Sequence, residues 1–237
     1  CEGAVKIEDL KEFCKKNKIK SIGLSDTSNL FGALEFSENL SKIGTQPIIG
    51  TQINFKFNDT IGLLPIFAMN SEGYKRIIEL SSKSYLENDG ISLQHCDILE
   101  LKKNNEGIAI FSGSVDGLSG KLFNKGKYSE IHEVYLYLKK NFNDRFYIEI
   151  QRHGDQNEKA FEKYNLSKSK ELDLPIIATH EVFYLDKNIH EAHDALVCIG
   201  NKSYVNEKNR KKFSDQHYFK NNKEILELFS DLPEALE

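Results

Sequence analysis

An α/β fold built on a mostly parallel sheet is predicted by three observations. Short apolar runs of strand length recur along the chain, helical runs separate them, and nothing in the middle resembles a linker. Taken in order, Ile7, Leu10, Phe13 and Cys14 recur at helical spacing, and residues 20–25 alternate as a short strand. Ala33, Phe36, Leu40 and Ile43 mark a second helix, after which Pro47 opens an extended stretch reaching Phe57. Residues 61–68 read as its antiparallel or neighbouring partner across a polar Asn58-Asp59 turn. Asn70 is a natural N-cap for a helix carrying Tyr74, Ile77, Ile78 and Ser81. Residues 108–111 read as a buried strand, Ile131, Val134, Tyr135 and Leu138 as a helix, and residues 146–150 as the next strand. Asp155, with Glu158 after it, predicts a capping box for a helix reaching Leu172. A strand at 175–178, a helix capped by Asp186 and a short helix opened by Asn221 and Glu224 complete the series. The whole chain, 1–237, is read as one domain.

At 237 residues, 39% hydrophobic and 29% charged, the chain can bury one large core under a charged surface. Its net charge of -4 gives no global attraction to nucleic acid, and the local basic runs at 15–20 and 208–212 read as solvated faces. Cys1, Cys14, Cys96 and Cys198 are scattered with no C-x-x-C pair, which fits buried thiols in a reduced, cytoplasmic protein. No apolar run approaches the roughly 18 residues of a membrane helix, and no signal peptide opens the chain, so no membrane partner is expected.

In parallel α/β folds, reactive side chains gather at the C-terminal ends of strands. That rule makes Asp26, His153, His180 and Glu181 candidates to converge at one mouth. Converging carboxylates and imidazoles are what a divalent-metal phosphoesterase uses to activate water and neutralise phosphate charge. Plainer roles stand beside each. Asp26, ahead of Ser28 and Asn29, is equally placed to cap the next helix, and His153 before Gly154 to sit in a turn. His180 and Glu181 are neighbours on an extended segment, so only one is expected to face a pocket. His193 lies on an apolar helix stripe and reads as core, while His95, His132, His190 and His217 read as surface or packing residues. No phosphate loop of the G-x-x-x-x-G-K-S/T type, no G-x-G-x-x-G and no G-x-S-x-G elbow occurs. Ser112-Gly113-Ser114 resembles a phosphate-binding turn only loosely, and Gly113 and Gly117 are explained by turn geometry.

An ordered set of segments does carry a resemblance. Residues 22–32, I-G-L-S-D-T-S-N-L-F-G, resemble an "I-T-D-x-x-N-L-x-G" segment, and residues 46–50 resemble "K-P-I-x-G". Residues 70–74 resemble "N-x-x-G-Y", residues 146–154 "F-Y-x-E-I-x-x-H-G", residues 174–179 "L-P-x-V-A-T" and residues 232–236 "x-P-E-A-x". Together these are similar to the PHP (polymerase and histidinol phosphatase) domain that opens bacterial DNA polymerase III alpha subunits.

The resemblance implies a distorted seven-stranded β/α barrel whose active members hold up to three divalent metals at the mouth. It also implies a first strand with an H-x-H pair upstream of residue 1, so the sheet edge beside Ile22 and Leu24 is expected to pair with another chain or with upstream residues. Thr27, Gln52 and Phe183 stand where the family carries metal ligands, while Asp26 and His153 are retained and Glu181 is a conservative replacement. Asp26, His153 and Glu181 are therefore expected as vestiges of a metal site, with no cofactor required. The expected function is a catalytically degenerate scaffold in DNA replication that braces the polymerase domains of the same chain and docks a proofreading exonuclease subunit. DNA would be met through the full-length protein. The alternative is an active phosphoesterase or exonuclease using zinc, manganese or magnesium. Polymerisation needs a carboxylate pair in a palm domain, which is absent from this sequence.

Overall fold

The structure is a computed structural model that describes residues 3–88 and 90–236, so Cys1 lies outside the described residues. The strands are β1 (Ser21–Thr27), β2 (Gln46–Phe57), β3 (Thr60–Ala68), β4 (Cys96–Asp97), β5 (Ile108–Phe111), β6 (Phe146–Ile150) and β7 (Ile176–Ala178). The helices are α1 (Ile7–Asn17), α2 (Ala33–Ser41), α3 (Ser71–Leu86), α4 (Leu118–Asn124), α5 (Tyr128–Phe142), α6 (Glu158–Leu172), α7 (His190–Asn201) and α8 (Asn222–Leu228). The strands form one seven-stranded sheet in the order β1-β2-β3-β5-β6-β7, with β4 added beside β2. Pairing is parallel at β1/β2, β2/β4, β5/β6 and β6/β7, and antiparallel at β2/β3 and β3/β5. The β/α barrel architecture is thus present as a curled half-barrel whose path runs from β1 to β7.

The local signals act as expected at most element ends. Asn58 takes a left-handed φ of 52° in the turn that joins β2 to β3. The Asn70 side chain accepts from the Gly73 N–H at 2.9 Å, and Asn221 with Glu224 forms a reciprocal capping box. Asp186 caps a single 3-10 turn, Lys187–Ile189, that leads into α7. Gly113 sits at φ 85°, a conformation that costs glycine least. Cys14, Cys96 and Cys198 are free and buried. Two elements carried no readable pattern. The two-residue β4 is too short for periodicity, and α4 follows a run of Ser and Gly.

One expectation is corrected. Asp155 and Glu158 form no capping box: the N-cap of α6 is Asn157, in the left-handed region at φ 66° with no side-chain cap. The Glu158 carboxylate turns back onto the loop that follows β6, where stronger partners wait.

Two apolar clusters hold the layers together. The larger joins Ile53, Phe55, Leu64, Ile66, Ile110 and Ile148 of the sheet to Ile77 and Leu80 of α3 and to Val134, Tyr135 and Leu138 of α5. The smaller packs Leu10 and Cys14 of α1 against Phe36 and Leu40 of α2, over Ile22 and Leu24 of β1. The two clusters place α1 to α3 and α5 on the outside, leaving the strand ends to build the mouth.

A single glycine contact sets how closely α3 approaches β5. A Cβ on Gly73 would lie 1.7 Å from the Gly107 carbonyl oxygen, which itself accepts from the Met69 N–H at 2.9 Å. Backbone meets backbone there, so no side chain can yield. Gly73→Ala is expected to destabilise the fold by about 2–3 kcal/mol through forced backbone displacement. Gly3→Ala, whose Cβ meets nothing within 4 Å, should stay within ~0.5 kcal/mol of the parent. Urea denaturation of the two variants checks the contrast.

Candidate functional site

The mouth is assembled from three chain segments. Residues 151–154 follow β6, residues 179–181 follow β7, and residues 213–221 return from the C-terminal side to cover both. The cover is stitched on by backbone bonds: Phe183 N–H donates to the His217 carbonyl at 2.9 Å, and Phe219 N–H to that of Tyr184 at 3.0 Å. The Ser214 hydroxyl donates to the His153 carbonyl at 2.6 Å.

His153 is the centre of this assembly and is 1% exposed. Its Nε2 accepts the Glu181 backbone N–H at 3.1 Å, and its Nδ1 faces Glu158 Oε1 at 3.3 Å. Glu158 also accepts the backbone N–H of His153 and of Gly154, at 2.8–2.9 Å and 2.7 Å. The His153 ring stacks on His217, with centroids 4.1 Å apart and planes 4° apart, and on His180 at 4.6 Å. Phe183 continues the stack on His217 at 4.6 Å. His180 Nε2 donates to the Tyr218 carbonyl at 2.9 Å, and burial, with His153 close by, lowers its pKa to about 3.

Both His180 and Glu181 reach the mouth. β7 ends at Ala178, so strand alternation no longer separates their side chains. While His180 stacks, Glu181 Oε1 accepts from the Gln52 amide at 3.2 Å. Asp26 is placed differently. In the β1/β2 register Asp26 pairs with Thr51 and Thr27 pairs with Gln52, which puts Asp26 on the opposite pleat from Gln52. Burial raises its pKa, and its carboxylate makes no side-chain hydrogen bond or ion pair among the described residues.

Three residues at the mouth carried weak sequence signals. His217, read as surface or packing, is 1% exposed, and its Nε2 lies 3.4 Å from Asp155 Oδ2. That polar contact with the imidazole holds the Asp155 pKa below its ordinary value. No spacing in the sequence links residue 217 to residue 153. Glu149 had a signal: it is a charged residue inside a strand whose neighbours Ile148 and Ile150 are both buried. Its Oε1 accepts from the Thr179 hydroxyl and from the Gln151 amide at 3.1 Å, whereas Oε2 has no partner among the described residues. Burial pushes its pKa up to about 7, with Glu181 adding to the rise.

Donor atoms of His153, Asp155 and His217 all lie within 4.8 Å of one another. A divalent ion bound by imidazole sits in the ring plane about 2.0–2.1 Å from nitrogen. Two stacked, nearly parallel rings offer no position that lies in both planes, and the His153 lone pair is already taken by Glu181 N–H. In this arrangement the three residues do not fit a shared metal ion.

The Glu149 carboxyl makes a pH test available. Its folded pKa of about 7 exceeds the ordinary 4.5. The folded chain therefore holds the extra proton between those values, and stability falls as pH rises through that window. Glu149→Gln removes this dependence. The stability of the variant relative to the parent should improve from pH 5 to pH 8 by up to about 3 kcal/mol. Urea denaturation of both proteins at the two pH values measures it, and an unchanged difference would contradict the buried-acid assignment.

Comparison with known proteins agrees with this architecture. A family profile described as the PHP domain matches residues 1–153. The chain is 34% identical over 247 residues to a DNA polymerase III subunit alpha of Caulobacter vibrioides, covering 99% of this chain and 21% of that protein. It is 36% identical over 240 residues to the DNA polymerase III subunit alpha of Rickettsia conorii, covering 100% of this chain and 20% of that one. The chain thus spans about a fifth of the length of the curated relatives it matches. A crystal structure from Bifidobacterium adolescentis, named as a candidate metal-dependent phosphoesterase, shares the fold with a TM-score of 0.50 at 10% identity, over 97% of this chain and 92% of that one. With that family profile matching well over half of the sequence, the conclusion follows: this chain belongs to the PHP domain family.

Proposed function

We propose that this chain, over its whole length 1–237, is the N-terminal PHP module of a bacterial DNA polymerase III alpha subunit. In this reading its mouth is catalytically degenerate and serves as a scaffold. The module braces the polymerase domains of the same polypeptide and offers a surface to a proofreading exonuclease, while DNA is met through the complete protein. The observation that carries the reading is the saturated state of His153. Its two nitrogens face Glu158 and Glu181 N–H, and its ring stacks on two other histidines. A nucleophile-activating metal needs free lone pairs converging from several sides, and this mouth spends them on internal structure.

The side chains at the replaced positions support the same reading. Gln52 bonds to Glu181, and Phe183 stacks on His217. Neither offers a charge to a cation. The phosphoesterase reading is favoured by one observation only, the proximity of the His153, Asp155 and His217 donors. It would require His217 to leave the stack and residues 213–221 to lift from the mouth.

Purified protein, dialysed against zinc and manganese and then against buffer, is expected to retain no stoichiometric ion by elemental analysis. It should neither extend a primer nor shorten a 3′ end in added manganese. Two or more ions per chain, or a nuclease activity abolished by Asp26→Ala or His153→Ala, would overturn the degenerate reading.

A further inference from the structure

α6 turns one face inward: Glu158, Phe161 and Asn165 recur at helical spacing, and all three are buried. Between that face, the end of β6 and the loop at Ser114 and Val115 lies a cavity with about 10 Å³ open to the centre of a water. A space of that size takes one water and excludes any organic ligand.

Two of the lining side chains carry polar atoms without a partner. Asn165 is 0% exposed, and its Oδ1 accepts from the buried Tyr135 hydroxyl at 2.8 Å. Its amide nitrogen Nδ2 is left unpaired among the described residues. Glu149 is 5% exposed and commits Oε1 to Thr179 and Gln151, which leaves Oε2 unpaired among the described residues. A buried donor or acceptor without a partner carries its full desolvation penalty, so both atoms call for a ligand.

The other acidic groups of the lining are already committed. Glu158 accepts the His153 and Gly154 backbone N–H groups, and Glu162 accepts from Arg152 at 2.6 Å and 3.1 Å. The cavity therefore presents no cage of free carboxylates to a cation. Its open positions are an amide N–H, which only donates, and one carboxyl oxygen. The ligand must accept from the first and hydrogen-bond to the second. In this volume, water does both.

We propose that this cavity is a binding site for one ordered water, which accepts from Asn165 Nδ2 and bonds to Glu149 Oε2. The water joins two hydrogen-bonded sets: Tyr135 with Asn165 between α5 and α6, and Glu149 with Thr179 and Gln151 at the mouth. It can donate to an ionised carboxylate or accept from a neutral acid, so Oε2 stays paired in either form. The site lies outside the scaffold reading above and does not depend on it.

Crystallography of the chain at atomic resolution, with and without a rubidium soak, tests the site directly. One solvent peak about 2.7–3.2 Å from both Asn165 Nδ2 and Glu149 Oε2, unchanged by rubidium, is the expected result. A dry cavity, a direct Asn165–Glu149 hydrogen bond or a rubidium signal in the cavity would overturn it. A double-mutant cycle in urea with Asn165→Leu and Glu149→Leu gives a second readout. Removing both partners leaves no orphan for the water to satisfy. The unfolding constant of the double variant should therefore rise about fivefold less than the product of the two single effects. Effects that multiply to within about twofold would count against the bridge.

Discussion

The carboxyl end of the sheet depends on the His153 imidazole, whose two nitrogens and ring are all engaged. Nδ1 lies 3.3 Å from Glu158, Nε2 takes the Glu181 N–H and the ring stacks on two other histidines. Glu158 can serve as the anchor because it stands at the first turn of α6, where the helix end favours negative charge. It gathers the His153 and Gly154 N–H groups, of which the buried His153 N–H would otherwise lack a partner. Segments that follow β6 and β7 and the returning segment thus meet at one side chain. Arg152 adds a second tie, forking onto Glu162 and Asp231 and lying over the Phe229 ring at 4.8 Å.

Seen from this centre, Gln52, Glu181 and Phe183 form a consistent set. Several carboxylates brought together without a cation repel one another, and each raises the pKa of its neighbours. Glu149 and Glu181 already stand in that relation. A glutamine at position 52 answers Glu181 with a neutral donor, and a phenylalanine at 183 extends the ring stack. Both side chains are uncharged and keep the mouth packed. In the proposed reading, the mouth closes on partners of its own.

Much of this was legible in the chain itself, for reasons that differ from element to element. The hairpin of β2 and β3 follows from alternation and an Asn-Asp turn, and α3 follows from Asn70. Those signals are local, and local chemistry decides them. The pairing of His217 with Asp155 and His153 is not local. It depends on where residues 213–221 return after a long irregular path, and nothing in the spacing of residues encodes that path. Asp155 and Glu158 misled in the opposite sense. Their spacing satisfies the capping-box pattern, but the N–H groups of His153 and Gly154 in the neighbouring loop outcompeted the helix end for the Glu158 carboxylate. Asp26 lies at the end of β1 as the pattern requires, yet pleat parity sets it on the other face from Gln52.

The returning segment also bears on how the chain would behave if it were cut. The stretch 202–212 is mostly exposed and irregular, the kind of backbone a protease reaches first. Cleavage there would separate residues 213–236 covalently from the sheet. The severed piece would still be held by the His217 stack, the Ser214 hydroxyl bond, the Phe183 and Phe219 backbone bonds and the Arg152 fork onto Asp231. It would also keep Phe229 and Leu232 in the main apolar cluster. A nicked molecule would therefore persist as a two-fragment complex, migrating as one particle in native conditions and as two only once denatured.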